Sequence, residues 1–309
     1  MKKRILLYYK YVNVPVPHEI QGWQQELCSS LGLTGRILLA TEGINGTVCG
    51  SLHATDAYIQ AMNSHELFGG IDFKDSIVNG QHDYFHKLQI QVKPEIVHLG
   101  IAPEALTPDN GGQHLTPEQA HQLMEKKPED LVILDGRNYY EARVGTFKDA
   151  ITPPVNHFRD FPEYIDNNIE QFKDKEVLMF CTGGIRCERA SAYLSAKGVA
   201  KKVYQIEGGI HRYVEQFPDG FFRGKNYVFD ARITVKVNDD IIGTCDLCAT
   251  PCDEYTNCRN AKCNKHFISC ASCVEKLGNT CSAACLELVN QGLVPERPYR
   301  PKIDATTTE

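Results

Sequence analysis

The chain has 309 residues, 42% hydrophobic and 23% charged, a balance that fits a globular protein of two or three domains with sizeable cores. A formal net charge of −6 gives no global basic signal, so any contact with nucleic acid must come from a local patch. No apolar run approaches the roughly 18 residues of a spanning helix. Met1-Lys2-Lys3-Arg4, followed only by Ile5-Leu6-Leu7, is not expected to act as a signal peptide, and a cytoplasmic location is expected.

Residues 1–93 alternate between strand-like and helix-like stretches. Ile5 to Val12 reads as a strand, and Pro17 to Leu31, with Trp23, Leu27 and Leu31 spaced by four, as an amphipathic helix. Arg36 to Thr41 and Thr47 to Cys49 read as strands joined through Glu42-Gly43-Ile44-Asn45-Gly46, where Asn-Gly is a hairpin signal. A helix over Thr55 to Met62 and strands over Phe73 to Val78 and Leu88 to Val92 complete a β-α-β-β-α-β order. That order predicts a ferredoxin-like (acylphosphatase-like) α+β domain with an extra strand. Its histidines, His53, His65, His82 and His86, are scattered and expected at the surface, and the domain is a platform for a partner.

Residues 94–113, with Pro94, Pro103, Pro108 and Gly111-Gly112, read as a linker. A second domain, 114–218, opens at Thr116-Pro117-Glu118, an N-cap followed by proline and acid. Leu131 to Leu134 is a buried strand ending at Asp135-Gly136-Arg137, Tyr139 to Arg143 a helix, and Lys202 to Ile206 a strand before Glu207-Gly208-Gly209. Strands alternating with helices imply a parallel α/β sheet with its site at the strands' carboxyl edge. At that edge, the apolar strand Glu176 to Phe180 runs into Cys181-Thr182-Gly183-Gly184-Ile185-Arg186 and then a helix that stops at Gly198. Glycines at 183 and 184 let backbone N–H groups turn inward, and the helix N-terminus adds positive potential. Such a bowl stabilises an anion and lowers the thiol's pKa, with the sulfur expected exposed at the sheet's mouth.

Thirteen cysteines in a reducing compartment point to metal or catalysis rather than disulfides. Nine of them crowd into residues 245–285, within a C-terminal extension at 219–290. Two separated Cys-x2-Cys knuckles with further cysteines between and after them are a metal signal. An interleaved assignment puts Cys245, Cys248, Cys270 and Cys273 on one zinc and Cys258, Cys263, Cys281 and Cys285 on a second, leaving Cys252 spare and His266, ligand or bystander, outside the set. Fully thiolate-ligated sites of this kind are structural, and the array lacks ferredoxin-type spacing for an iron–sulfur cluster. Residues 291–309 read as a mobile tail.

The run Leu134-Asp135-Gly136-Arg137, the Gly145 turn, the loop Cys181 to Arg186 and Glu207-Gly208-Gly209 together resemble a rhodanese domain, whose loop cysteine carries a persulfide. A tyrosine phosphatase places its arginine six positions after the cysteine; here that position is Cys187, which disfavours phosphatase chemistry. With the front domain, the segment Gly224-Lys225-Asn226-Tyr227-Val228-Phe229-Asp230 and the cysteine-rich region, nearly the whole chain resembles the bacterial rhodanese-containing tRNA uridine hydroxylases. The resemblance implies oxygen-dependent formation of 5-hydroxyuridine at the wobble position, with the tRNA anticodon loop as partner and molecular oxygen as co-substrate.

In this reading Cys181 is the essential thiolate or persulfide, the loop backbone steadies its charge, and Arg186 holds the loop's field or a substrate anion. Asp135 and Arg137 match the rhodanese signature, either near the site or tying the strand end to neighbouring loops. Cys187 is a candidate to resolve an oxidised Cys181. Candidates for phosphate contacts are Arg137, Arg143, His157, Arg159, Arg189, His211 and Arg212, and Phe158, Phe161 and Tyr213 for base stacking. No Gly-x-Gly-x-x-Gly fingerprint follows a strand, so no flavin or nucleotide site is expected. A rhodanese-type sulfurtransferase acting on a thiol or RNA, and a non-catalytic binding module, are the other readings.

Overall fold

A computed structural model describes residues 2–297 and Ile303. The N-terminal unit contains β1 (Lys2–Tyr11), α1 (Pro17–Ser30), β2 (Thr34–Ala40), β3 (Gly43–Ser51), α2 (Leu52–Ser64), β4 (Lys74–Asn79) and β5 (Leu88–Val92). Its sheet runs β4-β1-β3-β2-β5, antiparallel except for β5, which joins β2 in parallel as the extra strand. Because strand side chains alternate, Leu6 and Tyr8 enter the core beneath the helices while Leu7 and Tyr9 face the other way. That second face becomes a wall of the functional site.

The expected Asn-Gly turn is displaced. The chain reverses at Thr41-Glu42, and Asn45-Gly46 lies inside β3, opposite Leu38 and Ile37. Gly46 is needed for room rather than for turning, since a Cβ there would fall 2.2 Å from the Tyr8 ring. Local propensity favours a turn at Asn-Gly, but cross-strand packing over Tyr8 decides the register.

Residues 94–112 are packed rather than loosely tethered. Ile96 and Leu99 are buried, and the Glu95 carboxylate accepts the amides of Leu99 and Gly100. The central unit follows with β6 (Gln113–Leu115), α3 (Pro117–Lys126), β7 (Leu131–Asp135), α4 (Tyr139–Ala142), β8 (Gly145–Phe147), α5 (Phe161–Asn167), β9 (Glu176–Phe180), α6 (Ile185–Ala196), β10 (Lys202–Ile206) and α7 (Gly209–Gln216). Thr116 caps α3 with a reciprocal Gln119 contact, so the N-terminus signal in the sequence is realised. The parallel sheet β6-β10-β9-β7 is buried on both faces, with Val177 to Phe180 of β9 inaccessible at its centre.

The C-terminal part begins with β11 (Phe222–Tyr227) and β12 (Thr234–Lys236), which form an antiparallel sheet with β8. Beyond it, β13 (Tyr255–Asn257), β14 (His266–Ile268), α8 (Ala271–Leu277) and α9 (Ala283–Asn290) enclose the cysteines. Of the stretch read as a mobile tail, Arg297 and Pro295 are backbone-bonded to Arg259 and Ala261, and Ile303 is buried beside Ile5 and Cys49. The rest of that stretch, 298–302 and 304–309, lies outside the described residues. Among the described residues no helix is long and apolar enough to cross a membrane.

Candidate active site and metal centres

Cys181 leaves the carboxyl end of β9, and α6 begins four residues later. The turn between them requires Gly184 at φ +103°, where a Cβ would also meet the Tyr9 hydroxyl at 2.7 Å. The Gly184 amide donates to Cys181 Sγ at 3.2 Å, and the amides of Arg186 and Cys187 also favour the thiolate. A second glycine element seats the loop from behind. Gly209, at φ +61°, approaches so closely that a Cβ would fall 2.3 Å from the Cys181 carbonyl oxygen. That approach lets the Ile210 amide donate to this carbonyl at 2.9 Å and the His211 amide to that of Thr182 at 3.0 Å.

The sulfur is not exposed as the sequence led us to expect. Cys181 has 0% relative accessibility, yet it lines a cleft of about 1080 Å³. Burial alone raises its pKa; the Cys187 thiol, the Arg186 guanidinium and the two amides outweigh that and lower it to about 5. Cys187 moves the opposite way, pushed well up by burial and then by the Cys181 sulfur, so it remains a protonated donor.

Arg186 is nearly buried and clamped by Glu141, with Nη1–Oε1 at 2.5 Å and Nη2–Oε2 at 2.8 Å. Its Nη2 also donates to Thr182 Oγ1 at 3.3 Å, closing the loop on itself. Sequence reasoning missed Glu141, although an acid three residues after Asn138 at a helix start was a visible signal. It also missed the Phe229 ring, 57% exposed on the cleft with the Arg186 Cζ 5.9 Å from its centroid.

The cleft is shared by all three parts of the chain. The front sheet contributes Leu7, Tyr9, Arg36 and Lys74, the central unit its cysteine loop with His157 and Arg159, and the C-terminal part Asn226 and Val228 to Arg232. Contacts across the parts hold the wall in place. Tyr9 donates to Glu188 of α6 at 2.8 Å, and Arg212 bonds Asp72 at 2.5 Å.

Several predicted phosphate-contact residues are elsewhere. Arg137 is inaccessible, paired with Asp135 at 2.7 Å and donating to the Gly145 carbonyl; the pair ties the end of β7 to β8, the second of its two expected roles. Arg189 is likewise inaccessible, bound to Glu95 at 2.5 Å and to the Ile101 carbonyl. Arg143 faces away from the cleft and pairs with Asp246 at 2.7 Å. Arg212 is occupied by Asp72 and Glu215. His157 and Arg159 are exposed on the cleft, and His211 lines it half-buried, its Nδ1 3.1 Å from Glu215. The stacking candidates Phe158, Phe161 and Tyr213 are core residues.

The cysteine-rich region brings together two four-sulfur groups, Cys245/Cys248/Cys270/Cys273 and Cys258/Cys263/Cys281/Cys285, each with all sulfurs within 4.8 Å of one another. This is the interleaved partition expected from spacing. Sulfur separations of 3.6 Å for Cys248–Cys270, 3.6 Å for Cys263–Cys281 and 3.9 Å for Cys281–Cys285 are far too long for disulfides. They approximate the ~3.8 Å edge of a tetrahedron with metal–sulfur bonds of about 2.3 Å, so both groups fit a metal ion. Cys252 belongs to neither group, and His266 stacks on Tyr255 at 4.3 Å instead of joining one.

The S–H donor at Cys187 yields a testable sign. A thiol hydrogen bond to a charged group contributes about 1.5–3 kcal/mol, so Cys187→Ala is expected to raise the ionisation pH of Cys181 by about 1–2 units. Cys187→Ser, which keeps a donor, is expected to leave it low. The pH dependence of alkylation at the Cys181 peptide, followed by mass spectrometry, checks both; an unmoved midpoint in the alanine variant would refute the donor role.

Comparison with known proteins covers almost the entire chain. Residues 3–96 match the UPF0176 acylphosphatase like domain, 116–216 the rhodanese-like domain and 223–286 the rhodanase C-terminal family. A tRNA uridine(34) hydroxylase of Corynebacterium urealyticum is 40% identical over 91% of this chain and 96% of its own length. One from Staphylococcus saprophyticus is 38% identical over 95% and 93%. An Arabidopsis thaliana rhodanese-like domain-containing protein 6 is 41% identical over 87% of this chain and 50% of its own length. With relatives of this identity matched over nearly the full length of both chains, this chain belongs to the tRNA uridine(34) hydroxylase family.

Proposed function

We propose that this protein hydroxylates the wobble uridine of tRNA to 5-hydroxyuridine in the cytoplasm, taking the anticodon loop into the cleft and molecular oxygen as co-substrate. The observation that carries the reading is a thiolate, Cys181, on the wall of a cleft walled by every part of a chain that is similar to these hydroxylases along nearly its full length. A splayed nucleotide needs such a recess, since RNA is read through unstacked bases rather than through the deep A-form groove. Exposed Arg36, Lys87 and Arg159 give the cleft a cationic border for phosphates despite the chain's net negative charge, with His157 beside them as a further hydrogen-bonding group. Placing one oxygen atom on C5 of uracil sends the other to water and consumes two electrons and two protons, which an external thiol reductant supplies as two thiols become a disulfide. Cys181, as thiolate or persulfide, is the electron-rich group at the reacting end of the cleft, and Arg186, with Glu141, keeps its loop closed.

Deleting the gene is expected to remove 5-hydroxyuridine from nucleoside digests of cellular tRNA. Wild-type protein restores it and Cys181→Ser does not. Unchanged mass spectra after deletion would contradict the proposal.

The sulfurtransferase reading is favoured by one feature, a low-pKa loop cysteine in a rhodanese-like domain. Turnover of thiosulfate with cyanide that disappears in Cys181→Ser, alongside unaltered tRNA nucleosides, would select it.

For the two cysteine groups we propose zinc, one ion each, in closed structural sites. The purified protein is expected to carry about two zinc ions per chain, with Cys248→Ser and Cys263→Ser each losing one and melting at lower temperature. Iron and visible absorbance in its place would refute the assignment.

A further inference from the structure

The segment Gly224 to Asp230 is remote in sequence from the cysteine loop, yet it lines the cleft at Asn226, Val228, Phe229 and Asp230. Asn226 sits near the end of β11, 4% accessible, and its Oδ1 is a buried oxygen with no hydrogen-bond partner among the described residues. A buried, unpaired carboxamide oxygen is unfavourable, and a folded chain retains one where a ligand completes the bond. Asn138 also lines the cleft with an unpaired Oδ1, but its Nδ2 already donates to the Tyr140 hydroxyl at 2.9 Å. The Asn226 side chain makes no hydrogen bond to any described residue, so both halves of its amide remain available.

Three residues further on, Phe229 offers its exposed ring beside Arg186, held edge-on by Tyr227 at 5.4 Å between centroids. A carboxamide and an exposed aromatic plane on the wall of one cleft suit a planar base with adjacent donor and acceptor atoms. Uracil presents an imide, N3–H between two carbonyls. An amide oxygen accepts from N3–H while the amide nitrogen donates to O4 or O2.

We propose that Asn226 reads the imide edge of the target uracil and that Phe229 stacks on its face, the two together positioning the base against the Cys181 loop. This rests on the reading of the cleft as an RNA site. It makes Asn226 a specificity residue and Phe229 a sequence-tolerant platform, two roles that separate experimentally.

The test uses the full-length protein and two anticodon stem-loop RNAs, with uridine or 3-methyluridine at the wobble position, the methyl group removing the N3–H donor. Wild-type protein is expected to bind the uridine RNA roughly tenfold to a hundredfold more tightly, the discrimination given by a bidentate base contact. In Asn226→Ala that preference falls to near unity. Phe229→Ala is expected to weaken both RNAs by about tenfold or more while keeping the preference, and Phe229→Trp to restore affinity. Because Phe229 is exposed, its variants test the proposal even if Asn226→Ala is found by its melting curve to unfold. Equal binding of the two RNAs by wild type overturns the Asn226 assignment alone, and unaltered affinity in Phe229→Ala overturns the stacking role. No binding of either RNA by wild type overturns the RNA reading beneath them.

Discussion

The structure depends on a contest at one sulfur atom. Cys181 is wholly shielded from solvent, and shielding by itself makes a thiol harder to ionise. Three inward backbone N–H groups, a protonated Cys187 and the Arg186 guanidinium reverse that outcome. The preorganised donors act in a recess with little competing water, where each is worth more than it would be at a surface. The loop stays in this shape because Gly209 admits its carbonyls to the amides at the start of α7, and because Glu141 holds the far end through Arg186.

The cleft above the sulfur is a product of the whole chain. Alternation along β1 sends Leu7 and Tyr9 away from the front domain's core and against the glycine loop. Tyr9 then reaches Glu188, and Arg189, one residue later, is fixed by Glu95 from the segment that joins the two parts. Buried ion pairs of this kind contribute less to net stability than to specifying one arrangement, a role we assign here because both partners come from different parts of the chain. The front domain therefore acts as a wall of the cleft, through Leu7, Tyr9, Arg36 and Lys74.

Much of this was legible in the sequence where chemistry is encoded locally. A strand, a cysteine, two glycines and a helix start fix the loop, since few backbones satisfy that order, and the two four-sulfur groups followed from knuckle spacing. The extra strand of the front sheet was also expected. What was not readable depends on partners far along the chain. The sequence marks Arg137 and Arg189 as cationic but says nothing of Asp135 and Glu95 closing over them. For the same reason Phe158, Phe161 and Tyr213 could be named as stacking planes although they lie in the core, while Phe229, the exposed ring, was passed over. Asn45-Gly46 misled because its turn propensity is local, whereas the fit of Tyr8 beneath Gly46 is not.

Competitive labelling most directly tests whether the Cys181 sulfur is a reachable anion. At about pH 6 an ordinary thiol, with a pKa near 8.5, is under about 1% ionised. A limiting amount of a small alkylating reagent, followed by peptide mass spectrometry across the thirteen cysteines, is then expected to modify Cys181 far ahead of the buried Cys28, Cys49 and Cys187. Labelling of Cys181 no faster than those three would contradict a thiolate on the cleft wall.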